Sequence, residues 1–207
     1  LFVAGEKALN SHRGYDLGAL DLYKELKDLA DYSEKNVISR LLVEVNRSLA
    51  HPALFSEFTN CLDQQVKDDI ISKYYLPYRG SIEQTIKSLI DRGELVLHLS
   101  VHSFTPELNG KKRNADIGLL YDPSSKAEKE FCINFKKELK GKDPNLNIRF
   151  NYPYLGTADG FTTYLRKKFQ NNYSGIEIEI NQKFSRDNKM EKAVKENLHA
   201  ALQNLMK

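Results

Sequence analysis

The residues of this chain best suited to chemistry are an imidazole and a carboxylate at the ends of two apolar runs. His102 closes the run that begins at Glu94 and is followed at once by Ser103, Phe104, Thr105 and Pro106. Glu177 and Glu179 lie in a second run, Tyr173 to Gln182, alternating with Ile176, Ile178 and Ile180. In open α/β sheets, ligands and reactive groups collect just beyond the carboxyl ends of strands. A histidine there can bind a metal or carry protons, and a glutamate there can act as general base on water. His98 lies on the same strand face as His102, four residues earlier and roughly 13 Å away at the rise of an extended chain. The two cannot share one metal, and His98 is expected to be structural. Of the two acids, Glu179 is nearer the carboxyl end and is the expected base. The bland alternatives are a buried histidine satisfied by backbone and acids paired with nearby lysines or arginines.

Other polar groups cluster where strands or helices are expected to end. Asn46 and Arg47 follow the run Val37–Val45; a guanidinium offers a planar fork that grips a carboxylate through two parallel bonds. A salt bridge and a turn-forming Asn would explain the same letters. Arg40, inside that run, is expected at an edge or paired with Glu44. In Tyr74-Tyr75-Leu76-Pro77-Tyr78-Arg79, read as a helix end, Tyr78 and Arg79 could donate to an anionic substrate or oxyanion; structural packing of tyrosines is the competing reading. His12, Arg13 and Asp16 precede the first long helix, where Asp16 is equally a plausible N-cap. His51 and His199 have no evident partner. A catalytic zinc takes about three protein ligands plus water, whereas this chain offers His102, with His12 or Asp16 as weaker candidates. If a metal is used, the remaining ligands are expected upstream of Leu1.

The elements that must position these groups read as α/β. Apolar residues at helical spacing predict helices over 17–30, 63–75 and 82–91, the last closed by Gly93. A helix capped by Ser124 or Ser125 should run to Leu139 and stop at Gly141. Further helices are expected near 161–169 and from Asp187 to the end. Strands are expected at 37–45, 95–102, 117–121, 147–151 and 175–181. Strands separated by helices of this length imply a mainly parallel sheet covered on both faces.

Composition places the chain among ordinary soluble proteins. Its 207 residues suffice for one domain with a sizeable core. The 31 basic residues are interspersed with 28 acidic ones, for a net charge of +3, so no nucleic-acid partner is expected. No apolar stretch is long enough to suggest a membrane. Cys61 and Cys132 lie outside any motif and fit a reduced, cytoplasmic setting. Oligomeric state is not legible.

Seven blocks, in order, resemble the N-formylglutamate amidohydrolase family. They are Ser-His-Arg-Gly-Tyr-Asp from Ser11, Ser-Arg-Leu-Leu-Val-Glu-Val-Asn-Arg-Ser from Ser39, Tyr-Tyr-Leu-Pro-Tyr-Arg from Tyr74, and His-Ser-Phe-Thr-Pro from His102. Arg-Asn-Ala-Asp-Ile-Gly-Leu-Leu-Tyr-Asp from Arg113, Asn-Tyr-Pro-Tyr from Asn151 with Asp159-Gly160, and Gly-Ile-Glu-Ile-Glu-Ile-Asn-Gln from Gly175 complete the set. The resemblance implies a three-layer α/β/α fold similar to the zinc carboxypeptidases. It implies a divalent metal, zinc, with His102 as ligand, and Glu179 as general base. Asn46 and Arg47 would grip the substrate α-carboxylate, with Tyr78, Arg79 or Arg113 at the oxyanion. The implied substrate is a small N-acyl amino acid of the formylglutamate kind. The family's opening strand with its Glu-His metal pair has no match, so residues 1–207 are expected to form one α/β domain lacking that strand. Glu44 stands where the family more often has Asp. The alternatives are a non-catalytic carboxylate binder on the same fold, or a related deacylase or carboxypeptidase. Metal analysis of the full-length protein would separate the binder, and a panel of formyl, acetyl and succinyl amino acids the deacylase or peptidase.

Overall fold

A computed structural model describes residues 5–206. In chain order, helix α1 (Glu6–Leu9) is followed by α2 (Ala19–Leu26). Gly18 precedes α2 in the left-handed conformation, φ 77°, and its N–H donates to Asn188 Oδ1 at 2.9 Å. α3 (Gln64–Ile70) continues through a π-turn at Ile71–Tyr75 into α4 (Leu76–Asp91). Next come β1 (Val96–Phe104), the hairpin of β2 (Glu107–Leu108) and β3 (Lys111–Lys112), β4 (Ile117–Leu120), α5 (Lys126–Lys142) and β5 (Ile148–Phe150). The chain ends with α6 (Phe161–Lys168), β6 (Tyr173–Asn181), the hairpin of β7 (Ser185–Arg186) and β8 (Lys189–Met190), and α7 (Lys192–Leu205). No helix of the described residues is long and apolar enough to cross a membrane.

These residues form two compact units. The larger comprises 16–35, 98–157 and 174–207. Its strand order is β1-β6-β4-β5, a mixed sheet that is mainly parallel, as expected. β4 pairs parallel with β5, Ile117 opposite Ile148, and antiparallel with β6, placing Gly118 opposite Glu179. One face of β6 sends Ile176, Ile178 and Ile180 into a core with Leu22, Cys132, Phe135, Leu139, Leu198 and Leu202. At about 1.5–3 kcal/mol for each fully buried aliphatic side chain, this face holds the strand in register. Because side chains alternate along a strand, Glu177 and Glu179 then occupy the opposite face. Ser125 caps α5 by accepting from Glu128 N–H. The buried Glu128 carboxylate in turn accepts from Asp122 N–H and Gly175 N–H, both at 2.8 Å.

The smaller unit comprises 1–15, 36–97 and 158–173. One of its cores gathers Val43, Val45, Leu54, Ile70 and Tyr75; a second gathers Ile86, Phe161 and Leu165 from α4 and α6.

Four expectations need correction. Residues 37–45 form no strand. Leu41, Val43 and Val45 are buried with the alternation of a strand, but the backbone is satisfied by loop contacts: Glu44 N–H donates to Leu54 O and Thr59 Oγ1 to Leu41 O. Tyr74–Arg79 does not end a helix. The π-turn immediately before Pro77 widens the ladder where proline has no N–H to give, so the helical path runs on to Asp91, closed by Gly93 at φ 83° as expected. Gly141 lies inside α5. The last helix starts at Lys192, because Asp187 and Asn188, at φ 51° and 57°, make a tight hairpin turn between β7 and β8.

Candidate active site

In the larger unit, β1 and α2 bring His102 and Asp16 together. His102 Nδ1 lies 2.9 Å from Asp16 Oδ2 and Nε2 lies 2.9 Å from Ser100 Oγ. The pair is largely buried, with side-chain exposures of 18% and 14%. Burial alone disfavours the imidazolium, but the Asp16 carboxylate outweighs it, with Glu179 and Glu177 adding, and His102 is pushed up to about 10. At neutral pH both ring nitrogens therefore donate. The connectivity Ser100–His102–Asp16 has the order of a nucleophile triad, but an imidazolium cannot take the serine proton, so Ser100 serves as an acceptor.

Glu179 is 5% exposed and stands opposite Gly118. A Cβ at Gly118 would lie 2.0 Å from the Tyr152 carbonyl oxygen and 3.3 Å from Glu179 Cβ. Glycine there lets the chain after β5 run against β4 beside the acid. Next to the sheet, Ser103 Oγ donates to Leu17 O at 2.8 Å and Gln182 Nε2 donates to Ser103 Oγ at 3.1 Å. These bonds tie the end of β1 to the residues before α2 and after β6. Arg113 donates to Thr105 Oγ1 and Tyr154 Oη and lies over the Tyr154 ring at 5.1 Å.

The smaller unit holds the second constellation. Asn46 Oδ1 accepts from Phe161 N–H at 2.8 Å. Arg47 Nη1 donates to Asp159 O at 2.6 Å, and Asp159 Oδ2 accepts from Ser48 N–H at 3.0 Å. Burial raises Asp159's pKa, but the Ser48 hydrogen bonds, then His51 and Arg47, outweigh it and hold the carboxyl below its ordinary range. The guanidinium of Arg47 keeps further N–H groups beyond that one carbonyl. Arg79 is 6% exposed and donates to Val45 O at 3.0 Å and Arg47 O at 3.2 Å. Tyr78 packs on Phe161, ring centroids 6.3 Å apart. Arg40, expected to pair with Glu44, does so at 3.0 Å.

A zinc of the kind the resemblance implies needs about three protein ligands. Both His102 nitrogens are engaged by Asp16 and Ser100. Among the described residues no three His, Cys, Asp or Glu side chains are grouped to hold a metal ion. These residues therefore do not fit a complete zinc site, and Asp16 acts on His102.

The sequence matches the N-formylglutamate amidohydrolase family over residues 3–185. The chain belongs to that family. Membership in the N-formylglutamate amidohydrolases places it among hydrolases that act on an amide bond. Two solved structures are similar. One is a gene product of Agrobacterium tumefaciens, at 23% identity and TM-score 0.75, covering 97% of this chain and 81% of its own. The other is N-formylglutamate amidohydrolase from Ralstonia eutropha JMP134, at 17% identity and TM-score 0.57, covering 81% of this chain and 72% of its own. Both show the fold. No protein of curated function matches the sequence.

Sequence reasoning about this amidohydrolase-family chain overlooked three contributors. Ser100 was legible as the residue two before His102 on one strand face. Tyr75, whose Oη donates to Arg47 O at 2.7 Å, sat inside a block already singled out. Asp159 lay in the Asp159-Gly160 of another such block but was given no role, because its partners lie 111 and 112 residues away in sequence.

Proposed function

We propose that this chain hydrolyses the acyl–nitrogen bond of a small N-acyl amino acid, of the kind named by the family, an N-formylglutamate. The observation that carries the reading is the acid at Glu179, buried on the polar face of β6, with the Asp16-held His102 close enough to couple to it electrostatically. Family membership supports the same reaction class.

The reading assigns the chemistry to the larger unit. Glu179 takes a proton from water as its oxygen attacks the acyl carbon, then passes that proton to the leaving nitrogen as the C–N bond breaks. The products are a carboxylic acid and the free amino acid. His102, kept cationic by Asp16, supplies positive charge toward the oxyanion, and Asp16 fixes the ring. In the smaller unit, Arg47 retains donors suited to a carboxylate of the substrate's kind, and Asn46 sets the loop. Arg113, half-buried beside Tyr154, is assigned to the acyl side. A divalent metal is given no step, because the described residues do not complete a site for one.

The decisive experiment compares wild type with Glu179→Gln on formyl-, acetyl- and succinyl-glutamate, following release of the free amine. Turnover should fall by about 10²–10⁴, the span of general-base contributions, with an unchanged circular-dichroism spectrum. Full activity in the variant would overturn the base assignment, and no preference for any acyl glutamate would overturn the substrate class.

A further inference from the structure

The smaller unit contains a buried cation whose position looks inefficient until its partners are traced. Arg79 is 6% exposed, and the groups that hold it are carbonyls and aromatic faces rather than a hydrogen-bonded carboxylate. Its guanidinium lies 4.1 Å from the Phe161 ring centroid, 4.8 Å from that of Tyr164 and 4.9 Å from that of Tyr75. Desolvating a guanidinium is costly, and burial here pulls its pKa down, offset by Tyr75, Tyr164, Asp159 and Glu83. What the buried fork does is grip Val45 O and Arg47 O from one side.

The same short segment is gripped at several further polar handles. Tyr75 Oη donates to the carbonyl of Arg47 at 2.7 Å. Phe161 N–H donates to the Asn46 side chain. Asp159 takes one Arg47 N–H with its carbonyl and Ser48 N–H with its carboxylate. Phe161 thus covers Arg79 with its ring and fixes Asn46 with its backbone.

We propose that Arg79 and Tyr75 are positioning residues for the carboxylate-binding loop: they act on the Arg47 carbonyl, fix the backbone from which its side chain departs, and so aim the guanidinium at a carboxylate ligand. Neither contacts the ligand. This rests on the reading that Asn46 and Arg47 bind the substrate carboxylate, and it reassigns Arg79 from a group that touches the oxyanion. An arginine suits the task because one nitrogen, Nη1, reaches both carbonyls while the planar group stacks between rings. Lysine has no such face to stack.

The test measures L-glutamate affinity by titration calorimetry, and KM and kcat on N-formylglutamate. It compares wild type, Arg47→Met, Tyr75→Phe, Arg79→Lys and Val194→Ala. Tyr75→Phe removes one hydrogen bond to the Arg47 carbonyl and should weaken glutamate binding about five-fold. Arg79→Lys replaces the stacked guanidinium that reaches both carbonyls with an ammonium that has no stacking face, and should weaken it by more than about ten-fold. For both, KM should rise while kcat at saturation moves by no more than about two-fold. Val194→Ala, a core change in the larger unit, shows what lost stability does by itself and should leave affinity unchanged. If Arg47→Met weakens binding while Tyr75→Phe and Arg79→Lys do not, the positioning role is wrong and the carboxylate reading stands. If Arg47→Met has no effect, or wild type binds no glutamate, the carboxylate reading fails and takes the positioning role with it. Should Arg79→Lys fail to fold, Tyr75→Phe decides the matter alone.

Discussion

Gly118→Ala probes the link between the sheet and the proposed base. Position 118 faces Glu179 across the β4–β6 ladder and the Tyr152 carbonyl from the chain after β5. An added methyl carbon would lie 2.0 Å from that oxygen and 3.1 Å from its carbon. Ordinary contact begins at 3.4 Å, so the Tyr152 peptide must retreat by the difference between 3.4 and 2.0 Å, 1.4 Å. The obstruction is backbone and cannot be relieved by turning a side chain. Glu179 Cβ, at 3.3 Å, is also crowded and has its own strand core to resist movement. Overpacking of a fitted core costs about 1–3 kcal/mol, and the upper end applies because a peptide group must move. A misplacement of about 1 Å at a catalytic group costs on the order of 10² in rate. Urea unfolding should therefore show a loss near 3 kcal/mol, and kcat should fall by about 10² under conditions where the variant remains folded. A variant that keeps wild-type stability and wild-type kcat would refute the claim that the absent side chain at 118 shapes the site. A loss of stability with kcat intact would confine its role to packing.

Glu128→Ala should leave the N–H groups of Asp122 and Gly175 without their carboxylate, at about 1–3 kcal/mol each, so urea unfolding should register a loss of about 2–6 kcal/mol in all. Glu128→Gln, which keeps one acceptor oxygen, should lose roughly half as much, and equal losses would show that the carboxylate's two contacts are not separately felt. Asp21 accepts from Met190 N–H and pairs with Lys195 Nζ at 2.9 Å. Burial raises its pKa, but Lys195 and the Met190 bond outweigh that and lower it from 3.8. A depressed carboxyl stabilises the fold above its unfolded pKa, and the contribution is lost as pH falls through the lower folded value. Asp21→Asn should thus be less stable than wild type at pH 7, with the gap closing below about pH 4; a gap independent of pH would remove the ion pair from the explanation.

What the sequence disclosed and what it hid divide along the reach of the interactions. β1, β4, β5, β6, α5 and α6 were legible because period-two or period-3.6 burial, with Ser125 or a glycine at the ends, is written into contiguous residues. The run 37–45 misled because Leu41, Val43 and Val45 alternate as a strand does. Alternation records burial on one side, not pairing with a neighbour, and here Thr59 and Leu54 answer the backbone instead. Likewise Pro77 marks a break in a regular α-helix, but a single π-turn ahead of it absorbs the defect. At the site, residue types were legible and partnerships were not. His102 and Glu179 stood out by kind and position, whereas the Asp16–His102 bond spans 86 residues.

The register of β6 joins fold and chemistry most directly. Ile176, Ile178 and Ile180 are all fully buried, so a slip of one residue would drive Glu177 and Glu179 into an apolar core and strip three isoleucines of their apolar partners. At about 1.5–3 kcal/mol per isoleucine, and with the added penalty of burying carboxylates among hydrocarbons, no slipped alignment competes. The side chains that hold the strand in place therefore also determine on which face, and opposite which residue, the proposed base stands. Gly118 sits opposite Glu179 because Ile117 is paired with Ile180 and Leu119 with Ile178. Replacing Ile178 with Thr, which would weaken the apolar face without touching an acid, should lower stability and kcat together, whereas a base positioned independently of the core would show the stability loss alone.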